Sequence, residues 1–534
     1  MKNQDVLTQQ SELIQSLAVM LETEGACTQI FETHISWVLV VGEFAYKFKK
    51  AVHFAFLDFS TLEARHFYCQ EELRLNRRLA PDLYLRVMTI SGSQEHPVVD
   101  GLGMPIEYAV QMRAFPQQAL WGYRIEMGLL STMEIDALAR KIARFHGTAD
   151  VAAGNSAWGT PNALQITAKE NLETIAAQVT DPEMLKQVRE IASWHAIEQQ
   201  KLSDLFDHRR ACGLIRECHG DLHSGNILTL DNQVEVFDCI EFSEGLRWID
   251  VINDIVFIYM DLKFQGRHDL AARLLNQYLE ISGDYEGVAV LRYYEMQRAL
   301  VRCKAALLRV RQLRAEAKDA APHQKQVGQY LIFSMNGTKP APTAIMIMYG
   351  YSGSGKSTFS ETLAELTGAI RIRSDVERKR LRGLPATDRV NVPPGAGLYD
   401  AAVTRTTYDR LCLLARQIVA SGMPVIVDAA CLKKREREMF GNLARDLGVP
   451  FFIIDVRTSV MTMKARITAR AQLAHDPSDA GLSVLEYQLA EHEALTVDEM
   501  RQVIVVDGEI RLDGEAVRKI MDPALSLLWR NKGV

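Results

Sequence analysis

Two stretches of the chain combine residue types at spacings that suit phosphate chemistry. "GYSGSGKS" runs from Gly350 to Ser357 and leads into the helical spacing of "TFSETLAELTG". Gly350, Gly353 and Gly355 let successive backbone N–H groups turn toward phosphate oxygens, with Ser354 and Thr358 completing the turn into the helix. Lys356 would reach the β- and γ-phosphates of ATP and Ser357 would offer its hydroxyl to Mg²⁺. The second stretch, "HGDLHSGN" from His219 to Asn226, sets Asp221 and Asn226 in one short loop, and "NQVEVFDCIEF" follows with Asp238 at a strand end. Phosphoryl transfer needs a carboxylate to orient the attacking hydroxyl and two oxygen ligands to hold Mg²⁺ on ATP. Asp221, Asn226 and Asp238 suit those three roles.

The elements that must position these residues follow from periodicity. "AIMIMY" is a strand entering the glycine loop, and beyond it helices alternate with the apolar strands "MPVIVDAA", "VPFFIIDVR" and "RQVIVVDG". Such alternation predicts a parallel sheet wrapped by helices. Asp428 ends "PVIVDAA", where a carboxylate can hold the Mg²⁺ water shell. "AIRIRSDVERKRLRG" places Asp375 at the end of a second strand with Arg378 three residues on; helix N-capping is the competing role for Asp375. In "VMTMKARITARAQ", Arg466 and Arg470 share one helix face, which could equally be a solvated face.

Ahead of this, "WVLVVG" and "FAYKFKK" read as strands and "LEARHFYCQEELRLNRRLA" as a helix ended by Pro81. Strands return at "LYLRVMTI" and "PIEYAVQMRAF", and helices dominate from Ser131 to Arg210 and again from Trp248 to Tyr330. The glycine and the stiff Pro-Ala-Pro of "MNGTKPAPTA" mark a boundary. The expected division is a domain over 1–335, a linker over 336–343 and a second domain over 344–534.

A chain of 534 residues exceeds what one core organises. A net charge of -6 gives no global attraction to nucleic acid or to anionic membrane, so any such partner must be read from clusters. The eight cysteines include no CxxC pair and no zinc spacing, which predicts reduced, buried thiols. The polar first dozen residues are not a signal peptide, and the apolar runs are strand-length. The expectation is a cytoplasmic protein that does not enter a membrane.

The segment from residue 28 to about 310 resembles the aminoglycoside phosphotransferase and choline kinase family, relatives of the protein kinases. The resemblance implies a bilobal, α+β domain in which Asp221 is the catalytic base, Asn226 and Asp238 hold the metal, and His219 is structural; His223 reads as a satisfied polar His, since an unpaired buried imidazole is costly. It further implies a strand lysine for the α- and β-phosphates, Lys47 with Lys49 as rival, paired to Glu72 or Glu71 on the following helix; Lys47 with Glu72 is favoured. Adenine would lie against backbone from Glu107 to Met112. The triple glycine of the phosphate-covering loop is missing, with only Gly42 before the lysine strand. The C-terminal half resembles the 5'-polynucleotide kinase, gluconate kinase and zeta-toxin-like group of P-loop NTPases, a three-layer α/β fold. There Asp375 would accept the acceptor's proton, Arg378 would grip the acceptor, and Arg466 and Arg470 would meet the transferring phosphoryl. "LDFSTLEAR", "EELRLNRRLAPDLYL" and "RWIDVINDI" resemble a bacterial group in which the two domains are fused.

These features predict a bifunctional ATP-dependent phosphotransferase acting on hydroxyls of small molecules, of sugar or amino-alcohol type. The basic segment "RIRSDVERKRLR" beside Asp375 raises RNA or a nucleotide as an alternative acceptor. Another alternative is that one domain only binds ATP and regulates the other. "RALVRCKAALLRVRQLR" reads as a solvated basic helix face.

Overall fold

Period-two patterning builds the first sheet. Six antiparallel strands, β1 (Thr28–Glu32), β2 (Ser36–Val41), β3 (Phe44–Lys49), β4 (Tyr84–Gly92), β5 (Pro97–Val99) and β6 (Glu107–Arg113), lie in the order β1-β2-β3-β6-β4-β5. Alternate residues of these strands face opposite sides. Leu39, Phe48, Met88 and Ile90 pack on α1 (Lys2–Leu21) through Leu13, Ile14 and Leu17. Ala45, Tyr84 and Val110 form the other core, with Cys69 of α2 (Leu62–Asn76). Thr61 caps α2 by accepting from the Ala64 N–H. The helix stops at Asn76, before the expected end at Pro81, and the chain turns through residues 77–79.

This computed structural model describes residues 2–22, 28–54, 57–385, 400–471, 481–510 and 513–529. The chain forms two units: Met1–Ala168 with Gln199–Asp261, and Lys169–Glu198 with Leu262–Val534. In the first, α3 (Thr132–Thr148) opens with a capping box between Ser131 and Glu134. Long helices α4 (Pro161–Gln178) and α5 (Pro182–Ala211) follow in the chain, their stretch Lys169–Glu198 belonging to the second unit. Then come β7 (Ile215–Glu217), the hairpin of β8 (Ile227–Leu230) and β9 (Gln233–Val236), and β10 (Trp248–Asp250), which pairs with β7. The hairpin turns on Asp231 and Asn232, both at positive φ, as a two-residue turn requires. Buried α6 (Val251–Phe264) supports this loop region.

The second unit contains α7 (His268–Ser282), α8 (Val288–Ala315) and α9 (Ala321–Thr338), then a five-stranded parallel sheet. Its strands are β11 (Ile345–Tyr349), β12 (Ile370–Arg373), β13 (Val425–Asp428), β14 (Phe451–Arg457) and β15 (Val503–Asp507), in the order β12-β13-β11-β14-β15. Met346 and Met348 face Leu363 of α10 (Lys356–Thr367). α11 (Ser374–Arg380) follows β12, and α12 (Ala401–Ala420) and α13 (Lys434–Leu447) pack on β13 and β11. The fold is thus a kinase-like α+β region followed by a P-loop α/β sheet.

Two expectations need correction. α9 continues to Thr338, three residues into the stretch expected as a linker. Gly337 lies close against Met296: a Cβ on it would stand 2.2 Å from the sulfur, so that side chain would have to shift. The basic helix α8 is largely interior, with Arg298, Leu300, Cys303 and Leu307 buried; only its C-terminal part presents Arg311 and Arg314 to solvent. Among the described residues, no helix is long and apolar enough to cross a membrane.

Candidate active sites

In the first unit, the pleat of β3 puts Lys47 and Lys49 on the face toward α2. Lys47 Nζ lies 2.7 Å from Glu72 Oε1 and 2.5 Å from Asp238 Oδ1. Lys49 Nζ lies 2.7 Å from the other Glu72 oxygen and also pairs with Glu241. One fully buried carboxylate therefore bridges two ammonium groups, while Glu71 points to the surface and pairs with Arg74. Only Lys47 reaches Asp238; Lys49 is sealed between Glu72 and Glu241. Burial alone would lower the Lys47 pKa, but Asp238 and Glu72 raise it well above its ordinary value. Burial would likewise raise Glu72, yet Lys47 and Lys49 hold it below the usual carboxylate range. Glu241 is raised by burial despite Lys49.

The catalytic loop is held from behind. Asn226 donates to the backbone and side-chain oxygens of Asp221, each at 3.0 Å. His223 Nδ1 accepts from the Gly225 N–H, which leaves its Nε2 as donor toward Asp221 Oδ2 at 3.3 Å. Asp254 of α6 accepts from the His219 and Gly220 N–H groups and contacts His146, and Asp261 accepts from the Ser224 N–H. His219 spans to the Phe237 carbonyl. Asp238 sits at φ +62°, its N–H donating to the Tyr84 hydroxyl. Glu241, Asp254 and Asp261 were missed in the sequence. Their signal was present as acids in "DCIEF" and on the buried face of "VINDIVFIYMD".

The turn between β1 and β2, where a kinase carries its phosphate-covering glycines, is a tight Thr33–Ser36 turn closed by Thr33 Oγ1 and clamped by Lys50 to Glu32 and the Thr33 carbonyl. Gly42 lies just before the lysine strand, as expected, in the β2–β3 turn at φ +57°. The backbone from Glu107 to Met112 belongs to an inner strand paired on both sides with β3 and β4, so it has little left to offer adenine, and the Ala114 N–H that follows bonds the Glu43 carbonyl at 2.9 Å. The Glu107 carboxylate is itself tied to Arg65 and Gln10.

In the second unit the glycine loop follows β11 and leads into α10. Gly350, Gly353 and Gly355 all have positive φ, and a Cβ on Gly353 would stand 2.7 Å from the Met463 carbonyl. The backbone therefore closes into a cradle that only glycine permits. Among the described residues the buried Ser354 hydroxyl has no hydrogen-bond partner, and the Lys356 ammonium turns back to the Tyr351 carbonyl at 2.7 Å. Both are what a phosphate-accepting nest presents, so the residues fit a nucleotide phosphate. Asp428 faces Ser357 Oγ at 3.4 Å and Ser360 Oγ at 3.1 Å, a set of hard oxygen donors that fits Mg²⁺.

A cavity of about 690 Å³ joins Lys356 and Ser357 to Asp375, Arg378, Asp428 and Arg466. Asp375 stands in the first turn of α11 rather than at its cap, and Arg378 reaches it at 3.3 Å. Arg466, on α14 (Val460–Ala471), lies 3.3 Å from the Ser354 carbonyl. The Arg470 side chain lies outside the described residues. Sequence reasoning missed Ser360, Arg373 and Gln488, which accepts from the Ser352 N–H; Arg373 Nε stands 3.7 Å from Asp428.

The model of a phosphotransferase enzyme family matches residues 69–291, and that of an AAA domain matches residues 345–495. Uncharacterized proteins of Mycobacterium tuberculosis and Mycobacterium bovis are 31% identical over 456 residues, covering 84% of this chain and 87% of theirs. Among solved structures, a choline/ethanolamine kinase family protein from Mesorhizobium loti is 11% identical with a TM-score of 0.39, over 62% of this chain and 99% of its own. A gluconokinase from Sinorhizobium meliloti is 23% identical with a TM-score of 0.25, over 36% of this chain and 97% of its own. Likenesses that distant carry no argument about activity.

Proposed function

Because this chain belongs to the same family as those mycobacterial proteins, and is an ATP-dependent phosphotransferase in which a phosphotransferase-family region precedes a P-loop kinase region, we propose that it is bifunctional. Each region transfers the ATP γ-phosphate to a hydroxyl of a small molecule, with the division of labour falling at residues 336–343. The observation that carries this reading is the single cavity that gathers Lys356, Ser357, Asp375, Arg378, Asp428 and Arg466.

In the P-loop region, Lys356 and the loop N–H groups hold the β- and γ-phosphates, and Asp375 takes the proton of the attacking hydroxyl. Arg378 fixes both Asp375 and the acceptor, while Arg466, with Arg470, meets charge on the transferring phosphoryl. In the N-terminal region Lys47, oriented by Glu72, meets the α- and β-phosphates, and Asp221, held by Asn226 and His223, accepts the acceptor's proton. Mg²⁺ would be held by Asn226 and Asp238 in one region and by Ser357 and Asp428 in the other, where it would neutralise phosphate charge. The reaction breaks the γ-phosphorus bond to the bridging oxygen of ADP and forms one to the acceptor oxygen.

A polynucleotide 5'-hydroxyl or nucleotide-sugar acceptor is the second reading, motivated by the basic segment at Arg371–Arg382. Packing weighs against it. Arg371 and Arg373 are bound to Glu280, Arg380 to Glu377, and Lys379 is buried, so little of that charge faces a polyanion. In the third reading, in which one region only binds ATP and regulates the other, Asp221→Asn would alter P-loop turnover.

The test incubates γ-labelled ATP and Mg²⁺ with a cytosolic extract and separates small molecules from RNA. Wild type runs beside Asp221→Asn and Lys356→Ala. Label in a small molecule, lost with one variant, is expected for each region. Label in RNA lost only with Lys356→Ala would favour the second reading. No transfer to any hydroxyl, with both units folded, would overturn the proposal.

A further inference from the structure

One stripe of α7 is committed to the P-loop sheet within the second unit. Arg273, Asn276 and Glu280 lie at spacings of three and four, on one helix face. Arg273 pairs with Glu361 and Glu365 of α10, each at 2.7 Å. β12 is the edge strand of the parallel sheet, and the Asn276 amide answers its open side: Nδ2 donates to the Ala369 carbonyl at 2.9 Å and Oδ1 accepts from the Arg371 N–H at 2.6 Å. One turn further, the Glu280 carboxylate lies 3.0 Å from Arg373 Nη1 and 3.5 Å from Arg371 Nη2. Arg371 continues to the Ser357 carbonyl at 3.2 Å.

Arg373 is thereby placed between two carboxylates of different purpose. Its register partner on β13 is Asp428, with which its Nε forms a loose ion pair at 3.7 Å from Oδ2, too long for a hydrogen bond, while its Nη1 is hydrogen-bonded to Glu280. A guanidinium released from Glu280 would close on Asp428 and occupy the oxygens that a metal needs. We propose that Glu280 is a positioning residue of the P-loop site: it holds Arg373 away from Asp428 and keeps that carboxylate available to the metal–nucleotide complex. The inference rests on the reading of Asp428 as a metal carboxylate. It also makes α7, which lies within the segment matched by the phosphotransferase family model, part of what sets the P-loop chemistry.

The test measures Mn²⁺ binding by electron paramagnetic resonance in the full chain with the non-hydrolysable ATP analogue AMPPNP. Asp238→Asn serves as the background, so that the signal reports the P-loop region. Adding Glu280→Gln is expected to weaken Mn²⁺ binding about threefold to tenfold, since a guanidinium no longer drawn toward Glu280 competes for Asp428 at close range. Adding Arg373→Gln to Glu280→Gln should bring the affinity back to within about twofold of the background, which loss of folding alone would not allow. Unchanged Mn²⁺ affinity in Glu280→Gln, or no recovery in the double variant, overturns the inference. Should Glu280→Gln not fold, Arg373→Gln alone decides: affinity equal to or tighter than the background supports the inference, and weaker binding refutes it. If the background binds no Mn²⁺ that Lys356→Ala removes, the P-loop reading itself fails and the inference falls with it.

Discussion

Lys47 and Lys49 share Glu72 but differ in what remains when either is removed, and replacing each by Met should separate their roles. Lys49, Glu72 and Glu241 are 1%, 0% and 4% exposed, so Lys49→Met strands Glu241 in the interior while Glu72 keeps Lys47. Breaking a buried ion pair from one side costs about 3–5 kcal/mol. Lys47→Met leaves Glu72 paired with Lys49 and leaves Asp238, 44% exposed, to water. Its cost should be about 1–2 kcal/mol. Burial already holds the Glu241 carboxyl above its ordinary range, and without Lys49 it rises further. The folded variant then binds more protons than the unfolded chain as pH falls, so the deficit of Lys49→Met should shrink from pH 7.5 to pH 5.5. Hydrogen exchange of the amides at 44–50 in the full chain reads the local opening free energy. On the activity side, Lys47→Met should abolish transfer by the N-terminal region, and Lys49→Met should retain it wherever the protein is folded. Equal destabilisation by the two variants, or a Lys49→Met deficit that does not ease in acid, would refute the charge assignment.

Three further outcomes are expected. Lys356→Ala should reduce P-loop transfer by about 100-fold or more with unchanged thermal unfolding, measured with labelled ATP once an acceptor is in hand. Gly353→Ala should destabilise the second unit by about 2–3 kcal/mol in urea unfolding and abolish nucleotide binding there, since the new methyl meets the Met463 carbonyl at positive φ. His195 is buried with neither ring nitrogen bonded among the described residues, and burial lowers its pKa from 6.5 to about 4. Between those values the unfolded chain takes up a proton that the folded chain does not, so stability falls as pH drops through that window, by about 3 kcal/mol at most. His195→Phe should flatten that part of the acid limb in urea titrations at successive pH values.

What could be read from the sequence was set by how local its cause is. The glycine loop was legible because its conformation demands glycine at fixed offsets, and Asp221, Asn226 and Asp238 because they share one short segment. Period two put Lys47 and Lys49 on the same face and therefore could not choose between them. Partners from other elements, Asp238 for one and Glu241 for the other, make the distinction. Glu107–Met112, expected to face adenine, could not be known from sequence to be enclosed, because an inner strand and an edge strand have the same pattern; the pairing shows it. Gly337 was read as a breaker, although it lets α9 pass close to Met296. Glu280 and Arg373 lie in segments far apart in sequence, and their meeting depends on α7 packing at the sheet edge, which no spacing encodes.

The central claim, two complete nucleotide sites on one chain, is tested most directly by counting them. Equilibrium dialysis of labelled AMPPNP with Mg²⁺ should give two nucleotides per chain for wild type, one for Lys356→Ala, one for Lys47→Met and none for the double variant. A wild-type stoichiometry of one, with both units folded, would contradict the account.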